Sequence, residues 1–270
     1  MDNQLRVVLS LKIITFWLCL SVPVSAAPLR VVSLDMCADQ YVLALLPKDR
    51  IAGLSLRARH RDSYFKARAE GLPLRRANLE TLLMLKPDAV VRTWGGDAKL
   101  LKALEVRGIK IIQINEVGNF TQAKNEVKSV GQALGVAQEG VHQSSKMSAA
   151  LDKVQKPSQM RRVLYYTPSA YSAGKSTWVG QLISATGNEL VAEQDYFYYL
   201  SPETFLSARA DVYALGFYGD AYAMRRAPGR HPLVRQRIAK SPHVTIPSPM
   251  LACSAWYSAF DLPKLAERLK

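Results

Sequence analysis

Short apolar runs and longer amphipathic stretches alternate along most of this chain. The apolar runs are rich in β-branched residues and continuous rather than alternating, which is typical of strands buried on both faces of a parallel sheet. Strands are predicted at Leu29–Leu34, Ile51–Leu56, Asp88–Arg92, Ile109–Ile114, Arg162–Tyr166, Asp211–Leu215 and His243–Pro247. Helices are predicted at Ala38–Leu46, Asp97–Arg107, Phe120–Leu134, Gln138–Val154, Thr177–Thr186, His231–Lys240 and Leu262–Leu269. This alternation predicts an α/β protein.

One helix–strand unit occurs twice. The stretch Asn78–Val91 (NLETLLMLKPDAVV) has a second copy at Ser201–Leu215 (SPETFLSARADVYAL), and the two align without a gap. Each copy starts with an N-cap residue and a short helix, and an Asp then leads into an apolar strand. The repeat predicts two similar lobes, with Glu80 and Glu203 in the first turn of the two matching helices.

The alternation is interrupted once, between residues 118 and 158, where the pattern is helical throughout. No Gly/Ser-rich or low-complexity linker occurs there, so we expect a stiff helical connection. The expected organisation is an N-terminal α/β lobe at residues 27–117, the helical connection at 118–158, and a C-terminal α/β lobe at 159–270. Both lobes are expected to be Rossmann-like, each with its own central sheet.

The first 26 residues have the layout of a secretory signal peptide. Arg6 and Lys12 supply the positive region, Ile13–Val24 is apolar but too short to span a membrane, and a small-residue cleavage site ends at Ala26. Cys19 lies inside the apolar region and lacks a lipoprotein pattern. We therefore expect an exported, processed protein, with an uncleaved anchor as the alternative.

The chain is strongly basic, with 36 Lys and Arg against 22 Asp and Glu and a formal net charge of +14. Such a balance suits nucleic acid, anionic lipid or an anionic small molecule. Export argues against nucleic acid, and most basic residues are scattered along the chain. A local cluster occurs at Arg57–Arg61, directly after a predicted strand, and a second at Arg225–Arg226 with Arg230–His231.

Two cysteines remain after removal of the signal peptide, Cys37 and Cys253. They lie near opposite ends of the processed chain, and in an oxidising compartment such a pair suggests one disulfide, which would tie the two lobes together. Two separate thiols are the alternative.

No catalytic motif is present. The chain lacks GxSxG, HExxH and CxxC, and the GKST at Gly174–Thr177 lacks the earlier glycine of a phosphate-binding loop. Four histidines are scattered at spacings that make no metal site. We therefore predict a binding protein rather than an enzyme, with no catalytic residues, no metal site and no resident cofactor.

Aromatic residues follow or flank the predicted strands, where open α/β sheets bind ligands in the crevice beyond the strand ends. The predicted ligand-binding residues are Arg57, Arg59, Trp94, Tyr171, Trp178 and Trp256, with Arg61 and the Tyr196–Tyr199 cluster nearby. Rings of this kind suit a bulky, partly apolar ligand, and the arginines suit its anionic groups. For each ring, a place in the core is the alternative.

The chain resembles the class III periplasmic substrate-binding proteins of ABC importers, which carry cobalamin, ferric siderophores and haem. The resemblance covers nearly all of the processed chain and rests on RVVSLDMCADQYVLAL, NLETLLMLKPDAVV with the following TWGGD, RHPLV, and the loop before the last helix. One departure is Cys253-Ser254-Ala255-Trp256, where many relatives have Gly-Gly after the Cys.

The resemblance implies two lobes joined by one long rigid helix, with the ligand in the cleft between them and little hinge closure. It also implies that Glu80 and Glu203 dock onto arginines of a membrane permease, while capping of the two helices remains a second role for both. The loops with Cys37 and Cys253 are implied to face the cleft.

The leading hypothesis is a monomeric periplasmic protein that captures an iron complex (siderophore or haem) or cobalamin. It would deliver this cargo to an ABC permease with its ATPase, without nucleic acid as a partner. The alternative hypothesis is an exported enzyme or chaperone that handles metal chelates through Cys37 and Cys253.

Overall fold

The computed structural model describes residues 28–219 and 227–270. Within these ranges the strands are β1 (Val31–Ser33), β2 (Ile51–Ser55), β3 (Leu74–Arg75), β4 (Ala89–Arg92), β5 (Lys110–Gln113), β6 (Arg162–Tyr166), β7 (Tyr171–Ser172), β8 (Glu189–Leu190), β9 (Tyr198–Tyr199), β10 (Val212–Gly216) and β11 (His243–Ile246). The predicted signal peptide and Arg225–Arg226 lie outside the described residues. In the described part of the chain, no helix is long and apolar enough to cross a membrane.

The helices fill the gaps between the strands. They are α1 (Met36–Leu45), α2 (Leu79–Leu85), α3 (Ala98–Glu105), α4 (Phe120–Ala133), α5 (Ala137–Asp152), α6 (Trp178–Ala185), α7 (Pro202–Ser207), α8 (Pro232–Ala239), α9 (Ser248–Leu251) and α10 (Leu262–Arg268). Short 3₁₀ segments lie at Lys48–Arg50, Lys66–Ala69, Pro228–Arg230 and Trp256–Asp261. Within the described residues, seven helices begin at a side-chain cap that accepts a backbone N–H of the first turn: Asp35, Asn78, Asp97, Asn119, Thr177, Ser201 and His231.

Two parallel sheets form the framework, which confirms the predicted α/β fold with two Rossmann-like lobes. The first sheet has the strand order β3-β2-β1-β4-β5 and the second has the order β11-β10-β6-β8. The chain changes direction across each sheet beside its first strand, between β1 and β4 in one lobe and between β6 and β10 in the other. Open α/β sheets place ligand sites at such switch points, beyond the carboxyl ends of the strands.

The sequence repeat corresponds to a repeat in structure. The carboxylate of Asp88 accepts the backbone N–H of Arg30 at 2.7 Å, and Asp211 accepts that of Arg162 at 2.7 Å. In each lobe the repeated Asp therefore ties the start of one central strand to the start of its neighbour. This shared contact explains why the Asp occurs at the same place in both copies.

The connection between the lobes differs from the single long helix that the family resemblance implies. Helices α4 and α5 form an antiparallel hairpin that reverses at Gly135, where φ is +72°. The two helices approach closely, since a Cβ on Gly131 would lie 2.9 Å from the Cα of Gly140. The connection is thus a pair of packed helices. It matches the two separate helices that the sequence predicted at Phe120–Leu134 and Gln138–Val154.

The end of the chain crosses back to the first lobe. After β11, the Trp256–Asp261 segment packs on α5, and Trp256 contacts Tyr41 of α1 with ring centroids 4.6 Å apart. One hydrophobic cluster contains buried residues of both lobes, including Val31, Val163 and Trp256. The lobes are therefore joined by a continuous core as well as by the α4–α5 hairpin.

Candidate functional site

A cavity of about 330 Å³ lies at the carboxyl ends of strands β1 to β4. Its lining residues are Leu34, Asp35, Met36, Ser55, Leu56, Arg57, Arg75, Arg76, Ala77 and Trp94. We call this cavity the arginine pocket. It occupies the switch point of the first sheet, where the fold class predicts a ligand site.

Three arginines give the arginine pocket its charge. Arg57, Arg75 and Arg76 are exposed, and none of them forms a salt bridge with a carboxylate of the described chain. A guanidinium without a protein carboxylate remains available for an anionic group of a ligand. The sequence prediction found Arg57 and missed the other two. The sequence feature that could have identified Arg75 and Arg76 is their position between a short apolar run and the helix cap Asn78.

Trp94 and Leu56 supply the apolar part of the same rim. Trp94 is 62% exposed and Leu56 is 56% exposed, and both line the pocket beside its arginines. Trp94 belongs to a segment, Thr93–Gly95, whose backbone is held tightly against Leu34. A Cβ on Gly95 would lie 2.7 Å from the carbonyl oxygen of Leu34, so only glycine fits there.

Arg59, a predicted ligand-binding residue, makes contacts within the first lobe. Its Nε donates to the carbonyl oxygen of Ala69 at 3.2 Å and its Nη2 donates to that of Leu72 at 2.7 Å. These bonds hold the Ala69–Leu72 turn, and Arg59 does not line the arginine pocket. The neighbouring Arg61 is exposed and lies 4.0 Å from Asp62.

The prediction that Trp256 lines the ligand site is wrong. Trp256 is 0% exposed, and its indole N–H donates to the Oε1 atom of Gln143 at 3.2 Å. The ring is covered because the end of the chain crosses onto α1 and α5. The neighbouring Tyr257 is also buried, but the equally dense aromatic run at Tyr196–Tyr199 is largely exposed, so local aromatic density does not predict the burial of Trp256.

Trp178 is also a core residue. It is only 5% exposed and packs edge-on against Phe120 at the start of α4, with ring centroids 5.2 Å apart. Its position at the start of α6 suggested a place near the ligand, but α4 covers that position.

Tyr171 is half exposed and belongs to an aromatic patch on the second lobe. Strands β7 and β9 pair antiparallel and bring Tyr171 opposite Tyr199, with ring centroids 6.0 Å apart. Tyr196 and Phe197 are exposed beside them. The repeat relates this patch to the arginine pocket, because Tyr199 follows Arg76 by the same 123 residues that separate Glu203 from Glu80.

The loop that carries this patch is held firmly. The hydroxyl of buried Tyr198 accepts the backbone N–H of Glu193 at 3.1 Å, and the N–H of Ser176 bonds to the carbonyl of Asp195 at 2.9 Å. The exposed rings are therefore presented by an ordered loop.

Cys37 and Cys253 form a disulfide in this structure, which is one of the two arrangements that the sequence left open. Cys37 lies in the first turn of α1, next to Met36 of the arginine pocket, and Cys253 precedes the Trp256 segment. The bond therefore ties the end of the chain to the helix beside the pocket. Neither sulfur is a free thiol in this structure.

Glu80 and Glu203 occupy equivalent exposed positions in the first turns of α2 and α7. The pKa of Glu203 is lowered, chiefly by its own backbone N–H and by the Ser201 hydroxyl. Glu80 follows Ala77 of the arginine pocket by three residues. Both carboxylates thus lie on the outside of the molecule, and Glu80 lies close to the pocket rim.

The described residues contain no group of three or more His, Cys, Asp or Glu that could hold a metal ion. The chemistry available at the arginine pocket is that of guanidinium groups, exposed apolar surface and backbone groups. These can bind an anionic, partly apolar molecule.

The family match and the curated relatives of this chain agree with each other. Residues 31–216 match the family described as periplasmic binding protein. The chain is 21% identical over 206 residues to the uncharacterized ABC transporter substrate-binding lipoprotein YvrC of Bacillus subtilis, covering 71% of this chain and 64% of that protein. It is 23% identical over 210 residues to a cobalamin-binding protein of Halobacterium salinarum, covering 74% and 57%. The chain thus spans less than two thirds of the length of these relatives.

Solved structures share the fold. The periplasmic haem-binding protein RhuT of Roseiflexus sp. RS-1 superposes with a TM-score of 0.67 at 23% identity, covering 88% of this chain and 97% of RhuT. The periplasmic haem-binding protein HutB of Vibrio cholerae superposes with a TM-score of 0.71 at 17% identity, covering 90% and 99%.

Proposed function

The chain belongs to the periplasmic binding protein family, and we propose that it captures an iron chelate bearing carboxylate groups, such as haem, outside the cytoplasm. The observation that carries this proposal is the arginine pocket, where Arg57, Arg75 and Arg76 surround exposed Trp94. The bound chelate would be cargo to be delivered to an ABC permease, rather than a resident cofactor.

The three arginines favour an anionic ligand over a neutral one. Each guanidinium can form paired hydrogen bonds to a carboxylate, and such charge-assisted bonds are about twice as strong as neutral ones. A ligand with two or more carboxylates would satisfy several of these donors together. The three arginines therefore favour haem and carboxylate siderophores over cobalamin. Two of the curated relatives carry the name cobalamin-binding protein.

The exposed rings favour a ligand with a broad apolar face. Trp94 and Leu56 would contact it from the first lobe, and Tyr171 and Tyr199 from the second. The repeat supports this pairing of surfaces, because Tyr199 occupies the place in the second lobe that Arg76 occupies in the first. The proposed site thus has a cationic wall and an aromatic wall.

Delivery would use Glu80 and Glu203. These carboxylates are exposed and related by the internal repeat, one in each lobe. A permease with two matching basic patches could therefore contact both lobes of the loaded protein.

The alternative hypothesis of an enzyme or chaperone that uses free cysteines is not supported. Cys37 and Cys253 are bonded to each other, and the family and the named relatives consist of binding proteins.

A titration with several chelates tests the proposal. Tryptophan fluorescence of the full chain would be followed during addition of haemin, cyanocobalamin and a ferric carboxylate siderophore. We expect saturable quenching by at least one carboxylate-bearing chelate, and weaker binding after Trp94→Ala. Val106→Ala is the matched control, since Val106 is also exposed but lies outside the arginine pocket. Absence of saturable binding by both haemin and the ferric carboxylate siderophore would refute the proposal, whether or not cyanocobalamin binds.

A further inference from the structure

Asp35 is a buried carboxylate in the wall of the arginine pocket, with only 2% of its surface exposed. It accepts five hydrogen bonds. One comes from the backbone N–H of Ala38 at 2.9 Å and caps α1. The other four come from the neighbouring segment: Thr93 N at 2.8 Å, Thr93 Oγ1 at 2.5 Å, Trp94 N at 3.2 Å and Gly95 N at 2.9 Å.

This pattern exceeds what a helix cap requires. An N-cap side chain normally satisfies one or two N–H groups of its own helix. Here a single carboxylate also binds every backbone N–H of Thr93–Gly95. Asp35 therefore connects the start of α1 with the segment that carries Trp94.

The Trp94 segment is also held from its other side. The Nε of Arg92 donates to the carbonyl oxygen of Gly95 at 2.6 Å, and the Nε2 of Gln113 donates to that of Thr93 at 2.8 Å. The N–H groups of the segment therefore face Asp35, while two of its carbonyls are bound by other side chains. Trp94 can remain 62% exposed because its backbone is fixed by these contacts.

We propose that Asp35 is a positioning residue of the ligand site, which fixes the Trp94 ring at the rim of the arginine pocket before a ligand arrives. This inference rests on the proposed function, in which the Trp94 ring contacts the cargo. A ring that is already ordered costs less conformational entropy to bind, which increases affinity. A carboxylate suits this task because both of its oxygens accept hydrogen bonds. In Asn, an NH₂ group would replace one oxygen and would face the backbone N–H groups that now donate to Asp35.

A double-mutant cycle with haemin tests this role. Affinity would be measured for the full chain and for Asp35→Asn, Trp94→Ala and the double variant. We expect each single change to weaken haemin binding about tenfold, the size expected for losing one aromatic contact. In the Trp94→Ala background, Asp35→Asn should cost less than about twofold more, because contacts that act through one another are not additive. Full additivity would overturn the proposal.

The control variant is Asp88→Asn. Asp88 also accepts a backbone N–H within the first sheet, but it lies at the amino ends of the strands, away from the arginine pocket. We expect it to leave haemin affinity unchanged. A loss equal to that of Asp35→Asn would show that any weakened aspartate in this sheet impairs binding, which would also overturn the proposal.

A second measurement needs no ligand. Time-resolved fluorescence anisotropy would measure the local motion of the Trp94 ring. The contribution of Trp94 is obtained by subtracting the signal of the same protein carrying Trp94→Phe. We expect faster local motion of Trp94 in Asp35→Asn and a smaller increase in Thr93→Val, which removes only one of the five bonds. Unchanged motion in both variants would overturn the proposal. If the unmodified chain does not bind haemin, the proposed function fails for haem, and anisotropy alone decides the role of Asp35.

Discussion

Asp39 lies one turn beyond Asp35, beneath the arginine pocket, and is 0% exposed. Its carboxylate accepts the backbone N–H of Ser55 at 2.9 Å and the Ser55 hydroxyl at 2.5 Å. Burial raises the pKa of Asp39 from 3.8 to about 6, against the lowering effect of the Ser55 hydrogen bonds. At the residue scale, the two aspartates of α1 therefore differ: Asp35 orders the pocket rim, and Asp39 makes stability depend on pH.

The sign of this dependence follows from the raised pKa. Because the folded pKa lies above the unfolded one, the stabilising contribution of Asp39 is present below about pH 4 and is lost as the pH rises through about 6. The loss should be on the order of 2 to 3 kcal/mol. Asp39→Asn can still accept from the Ser55 N–H and donate to its hydroxyl. We expect this variant to unfold at higher urea concentration than the unmodified chain at about pH 8.

Urea unfolding of both proteins between about pH 4 and pH 8 checks this prediction. The difference in the free energy of unfolding between them should change across this range in favour of the variant. An identical pH dependence in the two proteins would contradict the assigned pKa.

At the scale of elements, the repeated helix–strand unit has the same internal contacts in both lobes and different surroundings. Asp88 and Asp211 make the same strand contact, and Val31 of β1 pairs with Ala89 as Val163 of β6 pairs with Val212. The residues just before each unit differ, with arginines in the first lobe and tyrosines in the second. The repeat therefore preserves the framework and the exposed Glu, while the residues of the proposed ligand site differ between the two copies.

Reversing the charge of each repeated glutamate tests the proposed docking role of Glu80 and Glu203. Glu80→Arg and Glu203→Arg should leave chelate affinity within about twofold of the unmodified chain, because neither side chain lines the arginine pocket. Both should abolish stimulation of ATP hydrolysis by the cognate permease, since each replaces an attractive contact with a repulsive one.

The matched control is Glu267→Arg, which changes an exposed glutamate of the last helix that lies outside the repeat. It should retain full stimulation in the same ATPase assay. Loss of chelate binding in Glu80→Arg or Glu203→Arg would place these residues at the ligand instead.

At the scale of the whole molecule, the two lobes are braced at several points. The Cys37–Cys253 disulfide lies beside the Tyr41–Trp256 ring contact. In addition, the Tyr64 hydroxyl donates to Asp261 at 2.9 Å, and the Ser248 hydroxyl donates to Asp62 at 2.7 Å. Such bracing favours a cleft of nearly fixed width, which agrees with the little hinge closure that the family resemblance implies.

The sequence predicted the framework better than the site. The strands, the repeat and the helices of the connection follow from local periodicity and caps, which depend on neighbouring residues. The burial of Trp256 depends on a crossing between chain ends, and nothing local encodes it. Strand β3 was not predicted because its two residues are too few to show a periodicity. The pocket residues Arg75 and Arg76 were missed for the same reason.

A haemin titration tests whether the arginine pocket binds a carboxylate-bearing iron chelate such as haem. Dissociation constants would be compared for the unmodified chain, the double variant Arg75→Gln/Arg76→Gln, and Arg107→Gln. The last changes an exposed arginine at the opposite edge of the first lobe. We predict saturable binding that the double variant weakens about a hundredfold, as expected for two lost charge-assisted contacts, and that the control leaves unchanged. Equal affinity in all three proteins would contradict the role of the arginine pocket, and no binding by the unmodified chain would contradict haem as the ligand.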